Sequence, residues 1–398
     1  MAGRDQPCPY TFVLPLLQSQ TIQRCAKLKE LDVIILGGGP AGCAMALSLR
    51  AHAPALSVAL VEASSYDQPR IGEVLPSVAR FFLEHLGIWE AFQAEQHRTV
   101  HSTSSVWGRP LRQENHFIYS TRGADWHLDR TRFDAFLAHH CAERGVEIHM
   151  PARMIAVERR DDGWRLRLSD ETEFQARFVV DATGRRAAFA RKMGARRLTV
   201  DRLLGFARFF TLDPDSDPDT LIEAVPDGWW YTAIAGEYRV VAFMTDVDLA
   251  QRLALRDQKQ WLKLFNETRE IRQSVGHGLP HGAPFVRSAS SGCLNQICSQ
   301  SWLAVGDAAS TYDPLSAQGI VKSLRSGIFG SYAIADYLQQ SDANGLTRYA
   351  AFIQREFDSY RRVHAQFCAE EMRWPDSAFW QRRHKIYPVE RAPLRVFL

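Results

Sequence analysis

Four apolar residues running into three spaced glycines constrain this chain more than any other feature. Val33-Ile34-Ile35-Leu36 leads into Gly37-Gly38-Gly39-Pro40-Ala41-Gly42, and a helix-favouring stretch, Cys43 to Ala51, follows at once. A short, continuous apolar run of this kind predicts a strand buried in a parallel sheet. Gly37 permits a tight turn, Gly39 lets the backbone approach a pyrophosphate, and Gly42 allows close helix–strand packing. Pro40 and Ala41 complete the loop, and the helix behind it offers free N–H groups and a partial positive charge to phosphates. A second strand, Ser57 to Val61, ends at Glu62, twenty residues after Gly42, where a carboxylate is placed for ribose hydroxyls. A glycine-rich turn alone says little. Strand, loop, helix and acid together predict a Rossmann-type dinucleotide site.

Later segments point to FAD rather than a nicotinamide cofactor. Arg70-Ile71-Gly72-Glu73-Val74-Leu75-Pro76 follows the ribose acid, where a simple dehydrogenase would continue with another strand–helix unit. Asp181-Ala182-Thr183-Gly184-Arg185 follows an apolar strand, and Gly306-Asp307-Ala308-Ala309-Ser310 follows another. The second leads into Tyr312-Asp313-Pro314-Leu315-Ser316-Ala317-Gln318-Gly319-Ile320 at a helix start. Asp307 can accept hydrogen bonds from ribityl hydroxyls. Backbone N–H groups of Gly319 and Ile320 suit a flavin edge that gains negative charge on reduction. Glu73, Pro314 and Gln318 are flavin-side candidates, and no particular residue stands out as a catalytic acid or base.

The pattern predicts a mixed α/β chain of interleaved parts. Residues 31–100, 126–200 and 288–340 read as an FAD-binding domain with a parallel sheet, its regular structure starting at Asp32. Residues 101–125 and 201–287, rich in short aromatic strands, read as an antiparallel-sheet substrate domain, and 341–398 as a helical C-terminal segment. The first thirty residues read as a tail whose short apolar stretch, Thr11 to Leu17, makes a poor export signal, so a cytoplasmic location is expected. A net charge of +3 builds no basic stripe for nucleic acid. No apolar run approaches the ~20 residues of a membrane span. Seven scattered cysteines, odd in number and without a CxxC pair, argue against a disulfide framework or a metal site.

Together these segments resemble FAD-dependent monooxygenases of the class that includes aromatic hydroxylases, geranylgeranyl reductases and tryptophan halogenases, over roughly Asp32 to Arg383. The resemblance implies non-covalent FAD, dioxygen as co-substrate, and Arg70 and Arg130 at the cofactor, the latter where a helix start touches its flavin side. Residues 70–76 are similar to halogenases, but those enzymes need a lysine in the first domain, and none occurs between Lys29 and Lys192. Their Trp-x-Trp-x-Ile-Pro signature is also missing.

A nearer resemblance is to LodB-like flavoproteins, which mature tryptophylquinone cofactors in partner proteins. It rests on Val106-Trp107-Gly108, Trp126 to Asp134, Trp229-Trp230-Tyr231, Asp313 to Ile320, and Arg373 through Arg383. It implies hydroxylation of an indole through a flavin C4a-hydroperoxide, on a quinoprotein precursor as protein substrate. Electrons would come from NAD(P)H or a partner reductase, since no second dinucleotide loop is present. The alternative is a small-molecule aromatic monooxygenase or a halogenase. Trp107, Trp229, Trp230 and Tyr231 are expected to wall an open groove facing the flavin.

Overall fold

The computed structural model describes residues 28–117, 123–214 and 216–385. Most of the expected N-terminal tail, and residues 386–398 of the expected C-terminal segment, lie outside them. Five parallel strands form the spine of one half: β1 (Lys29–Leu36), β2 (Val58–Val61), β3 (Glu147–His149), β4 (Glu173–Asp181) and β5 (Trp302–Ala304). Their order across the sheet is β5-β4-β1-β2-β3. β1 starts three residues before the expected Asp32, because Lys29, Glu30 and Leu31 already pair with Phe174, Gln175 and Ala176 of β4. A hairpin of Met154–Arg160 and Gly163–Leu168 extends the sheet by pairing with β4, as the Trp164–Leu168 alternation predicts.

The apolar centre of β1 is wholly buried, with Val33, Ile34 and Ile35 at 0% exposure. Helix α1 (Pro40–His52) follows with proline in its first turn, where the missing N–H costs nothing. It begins at Pro40 rather than Cys43. Ten of its residues are buried, because it is sandwiched between the sheet and α3 (Gly319–Gln340). A Cβ on Gly327 of α3 would stand 2.5 Å from the Ala41 carbonyl oxygen, so glycine permits that approach. Helix α2 (Arg130–Glu143) is capped by Asp129, which accepts from the Thr131 and Arg132 amides, and buries Phe133, Phe136, Leu137 and Cys141.

A seven-stranded sheet forms the other half, in the spatial order Pro280–Ser288, Leu203–Thr211, Tyr238–Asp246, Gly228–Ala235, Thr220–Val225, Ser102–Val106 and Gln113–His116. It is not wholly antiparallel: Thr220–Val225 runs parallel to Ser102–Val106. That pair joins sequence-distant segments, so no hairpin turn forces them antiparallel. One sheet face packs on helices that contribute Trp261, Phe265 and Ile271. The other packs on the C-terminal segment, where α4 (Asn344–Glu370) and α5 (Ala378–Lys385) follow α3.

Candidate functional site

Three glycines of one loop do different things. Gly37 has φ +116°, and a Cβ there would lie 2.2 Å from the Ala182 carbonyl oxygen, in the turn after β4. A Cβ on Gly42 would lie 1.9 Å from the Gly37 carbonyl oxygen. Around Gly39, at the N-terminus of α1, a Cβ would meet nothing within 4 Å. Two glycines are therefore required by the fold. Gly39 leaves an open approach to backbone N–H groups at a helix N-terminus, where a phosphate is favoured.

Glu62 closes the loop from the side. Its Oε2 accepts from the Gly38 amide at 2.7 Å, and its Oε1 accepts from the Ser64 amide at 2.9 Å. Arg70 joins it at 3.3 Å. A carboxylate so held still has lone pairs for hydroxyl groups. Arg70 and Arg130 share the fully buried carboxylate of Asp134, Arg70 at 2.8 Å and Arg130 through Nε and Nη2 at 3.0 Å each. The two guanidiniums, balanced by Asp134 and Glu62, place planar N–H donors beside the glycine loop, a chemistry that suits phosphate oxygens. Arg130 also donates to the Ile71 and Gly72 carbonyls, fixing the segment that carries Glu73.

Glu73 is 1% exposed. Its Oε1 accepts from the Gly72 amide at 2.8 Å, and its Oε2 accepts the Tyr231 hydroxyl at 2.9 Å across the two halves of the molecule. Burial pushes the Glu73 pKa up against those hydrogen bonds. Burial and the Glu73 charge push the Tyr231 hydroxyl well above its ordinary value. The pair already shares the phenolic proton, and the raised Glu73 pKa favours uptake of a second on the carboxylate.

On the far side, Gly306-Asp307-Ala308 forms a tight turn whose glycine packs against Ala41, a Cβ there standing 2.7 Å from that of Ala41. The Asp307 side chain keeps 32% of its surface exposed. Asp313 caps the next turn through the Leu315 amide at 3.0 Å, with His364 of α4 on its other oxygen at 2.9 Å. Burial opposes charge on His364, but Cys368 and Asp313 outweigh it and raise its pKa well above the ordinary range. Pro314, Gln318 and Gly319 are exposed beyond this turn, a Cβ on Gly319 meets nothing within 4 Å, and Ile320 turns into the core. The open approaches at Gly39 and Gly319, the two arginines beside the glycine loop and the exposed edge of Asp307 fit a dinucleotide such as FAD.

A profile of the tryptophan halogenase family matches residues 32–120 and 109–394. The chain belongs to the tryptophan halogenase family. It is 29% identical to LodB of Marinomonas mediterranea, named as an FAD-dependent oxidoreductase, over 92% of this chain and 100% of that one. A solved structure of QhpG, a peptidyl tryptophan dihydroxylase essential for tryptophylquinone cofactor biogenesis, is 26% identical. It covers 91% of this chain and 80% of its own, with a TM-score of 0.69. CmlS, a flavin-dependent halogenase, shares the fold at TM-score 0.81 and 21% identity, over 89% of this chain and 68% of its own. This family member is an FAD-dependent oxidoreductase, as its sequence motifs imply.

The expected aromatic wall is not assembled as such. Successive strand residues face opposite sides, so Trp230 lies on the far face of the sheet, stacked 4.7 Å from Phe243 and edge-on to Trp261. Trp229 is 1% exposed and Trp107 is 8% exposed, both in one buried cluster with Phe379 and Trp380 of α5. Trp107 donates its indole N–H to the Phe367 carbonyl at 2.7 Å. These three tryptophans are core and line no open groove. Of the four candidates, Tyr231 reaches the nucleotide-binding half. Sequence reading missed the Glu73–Tyr231 bond and the His364–Asp313 bond. The two bonding pairs span 158 and 51 residues, with no local signal for either. No group of three or more potential metal ligands occurs among the described residues. No helix among them is long and apolar enough to cross a membrane.

Proposed function

We propose that this protein is an FAD-dependent oxygenase that hydroxylates a tryptophan side chain within a partner protein, a quinoprotein precursor, during tryptophylquinone biogenesis. The observation that carries the reading is the match to QhpG, which spans 91% of this chain. The whole-length match to LodB supports it. So does the absence of lysine between Lys29 and Lys192, the stretch after the glycine loop where the resemblance to halogenases calls for one.

In this reading Gly39, Pro40, Ala41 and Gly42 seat the pyrophosphate at the α1 N-terminus, and Glu62 binds ribose. Arg70 and Arg130 balance phosphate charge. Asp307 accepts from the ribityl chain, while Gly319 and Ile320 offer amides to the flavin edge. FAD, when bound, would supply the redox chemistry: a two-electron reduction by NAD(P)H or a reductase and the transfer of one oxygen atom of dioxygen to the indole. Indole C–H, O₂, NAD(P)H and H⁺ then give indole C–OH, NAD(P)⁺ and water. The ring proton must leave for aromaticity to return, and the buried Glu73 carboxylate, bonded to Tyr231 of the other half, is a group that can take it up. Pro314 and Gln318 shape the exposed turn that leads to the amides of Gly319 and Ile320.

The test places reduced enzyme and oxygen with free tryptophan in one reaction and with the co-encoded quinoprotein precursor in another. Mass spectrometry reads a gain of oxygen. Gain on the precursor with slow turnover of free tryptophan is expected. Efficient turnover of free tryptophan with no gain on the protein would leave the small-molecule aromatic monooxygenase standing.

A further inference from the structure

A lysine is buried in the first turn of α3. The Lys322 side chain is 3% exposed. Its ammonium donates to Asp307 Oδ1 at 2.6 Å and to the Ser310 carbonyl, and stands 4.5 Å from the centre of the Tyr312 ring. A methionine would fill this volume without the cost of desolvating an ammonium, several kcal/mol when poorly paired. The partners are therefore informative. Asp307 lies in the turn after β5, Ser310 in the short strand Ser310–Thr311, Tyr312 between that strand and the Asp313–Gln318 turn, and Lys322 itself in the helix beyond it. One ammonium ties together three pieces of the flavin-side cradle.

Two more cations converge from elsewhere. Arg185 Nε lies 3.4 Å from Asp307 Oδ2, and Arg197 Nη2 donates to the Asp307 and Ala308 carbonyls at 2.8 and 3.0 Å. Three cations surround one carboxylate, an excess of two positive charges beside the α3 N-terminus, whose own dipole adds to it. Burial opposes the Asp307 charge, but Lys322 and Arg185 outweigh it and hold its pKa below the usual value.

We infer that Lys322 is a positioning residue for the cofactor. It locks the Asp307 carboxylate in one orientation with its exposed edge toward the FAD ribityl chain, and it supplies positive charge that favours the added electrons of reduced FAD. This rests on the placement of Asp307 at the cofactor, which Asp307→Asn tests separately.

The experiment compares wild type, Lys322→Met, Asp307→Asn and the double variant. It measures FAD dissociation constants by flavin fluorescence and midpoint potentials by dye-equilibrated reduction. Lys322→Met is expected to weaken FAD binding about ten-fold, the loss of one charge-assisted contact, and to move the potential to more negative values. The double variant, which leaves no buried charge unpaired, is expected to bind FAD no worse than Asp307→Asn alone, because the two act as one unit. It should still show a more negative potential than Asp307→Asn. A Lys322→Met protein with wild-type affinity and potential overturns the proposal. So does a double variant whose potential equals that of Asp307→Asn, which keeps the proposal testable if the single variant fails to fold. Unchanged FAD affinity in Asp307→Asn removes the placement of Asp307 instead, independently of the hydroxylase reading.

Discussion

Replacing Gly39 with valine separates cofactor binding from folding. Gly39 has φ −78° and ψ −175°, a conformation open to any residue, and a Cβ there meets nothing within 4 Å. The apo-protein is therefore expected to fold with stability unchanged or raised by about 0.4–1 kcal/mol, since the unfolded chain loses freedom. The same side chain fills the approach to the helix N-terminus. If two charge-assisted N–H contacts to phosphate are lost at roughly 1.5–3 kcal/mol each, FAD binding weakens by about 10²- to 10⁴-fold. Gly42→Ala is the contrasting control, because its Cβ would lie 1.9 Å from the Gly37 carbonyl oxygen. It should destabilise by about 3 kcal/mol or more, at the upper end for overpacking. Apo-protein melting followed by circular dichroism reads the first quantity, and FAD titration by fluorescence reads the second. Stoichiometric FAD on Gly39→Val at wild-type affinity would refute the loop as the pyrophosphate seat. A Gly39→Val apo-protein as unstable as Gly42→Ala would refute the separation of roles.

Reduced enzyme given oxygen and bromide or chloride should release no halogenated tryptophan, because the α3 lysine is 3% exposed and bound to Asp307; a halogenated product by mass spectrometry would contradict this. Tyr231→Phe should cost about 1–3 kcal/mol in chemical denaturation, because it leaves a buried Glu73 oxygen unpartnered. Glu73→Gln, which removes a buried charge and keeps the bond, should cost less, and the reverse order would show that the bond is not formed. His97 and His127 are buried, and desolvation pushes their pKa values down to about 4 and about 3. Both are neutral in the folded state, so as pH falls below about 6.5 the unfolded chain takes up protons that the native state does not. Stability should fall by up to about 2.7 kcal/mol per pH unit between roughly pH 6 and pH 4. His127→Gln should flatten that slope in urea denaturation, and an unchanged slope would exclude His127 from it. Trp230→Ala should lose about 3–5 kcal/mol of stability yet leave FAD affinity intact, whereas a fall in FAD affinity would contradict its place on the far face.

The parts legible in the sequence were those built from neighbours along the chain. Strand β1, the glycine loop, α1 and Glu62 lie within a few dozen residues of one another, and hydrophobic pattern plus turn chemistry specify them locally. The Asp181 and Asp307 turns behind apolar strands were equally visible and pointed to FAD, and the stretch without lysine pointed away from halogenation. Alternation along Gly228–Ala235 already separates Trp230 from Trp229 and Tyr231, but which face meets the nucleotide half depends on what packs on each. That was decided by α5, whose Phe379 and Trp380 bury Trp107 and Trp229 from more than a hundred residues away. The Glu73–Tyr231 bond, the shared Asp134 carboxylate, the His364–Asp313 contact and the Lys322–Asp307 pair exist only once the sheets and helices have docked. A polar side chain carries no mark of its partner, because desolvation on burial, and not the chain around it, makes the pairing obligatory.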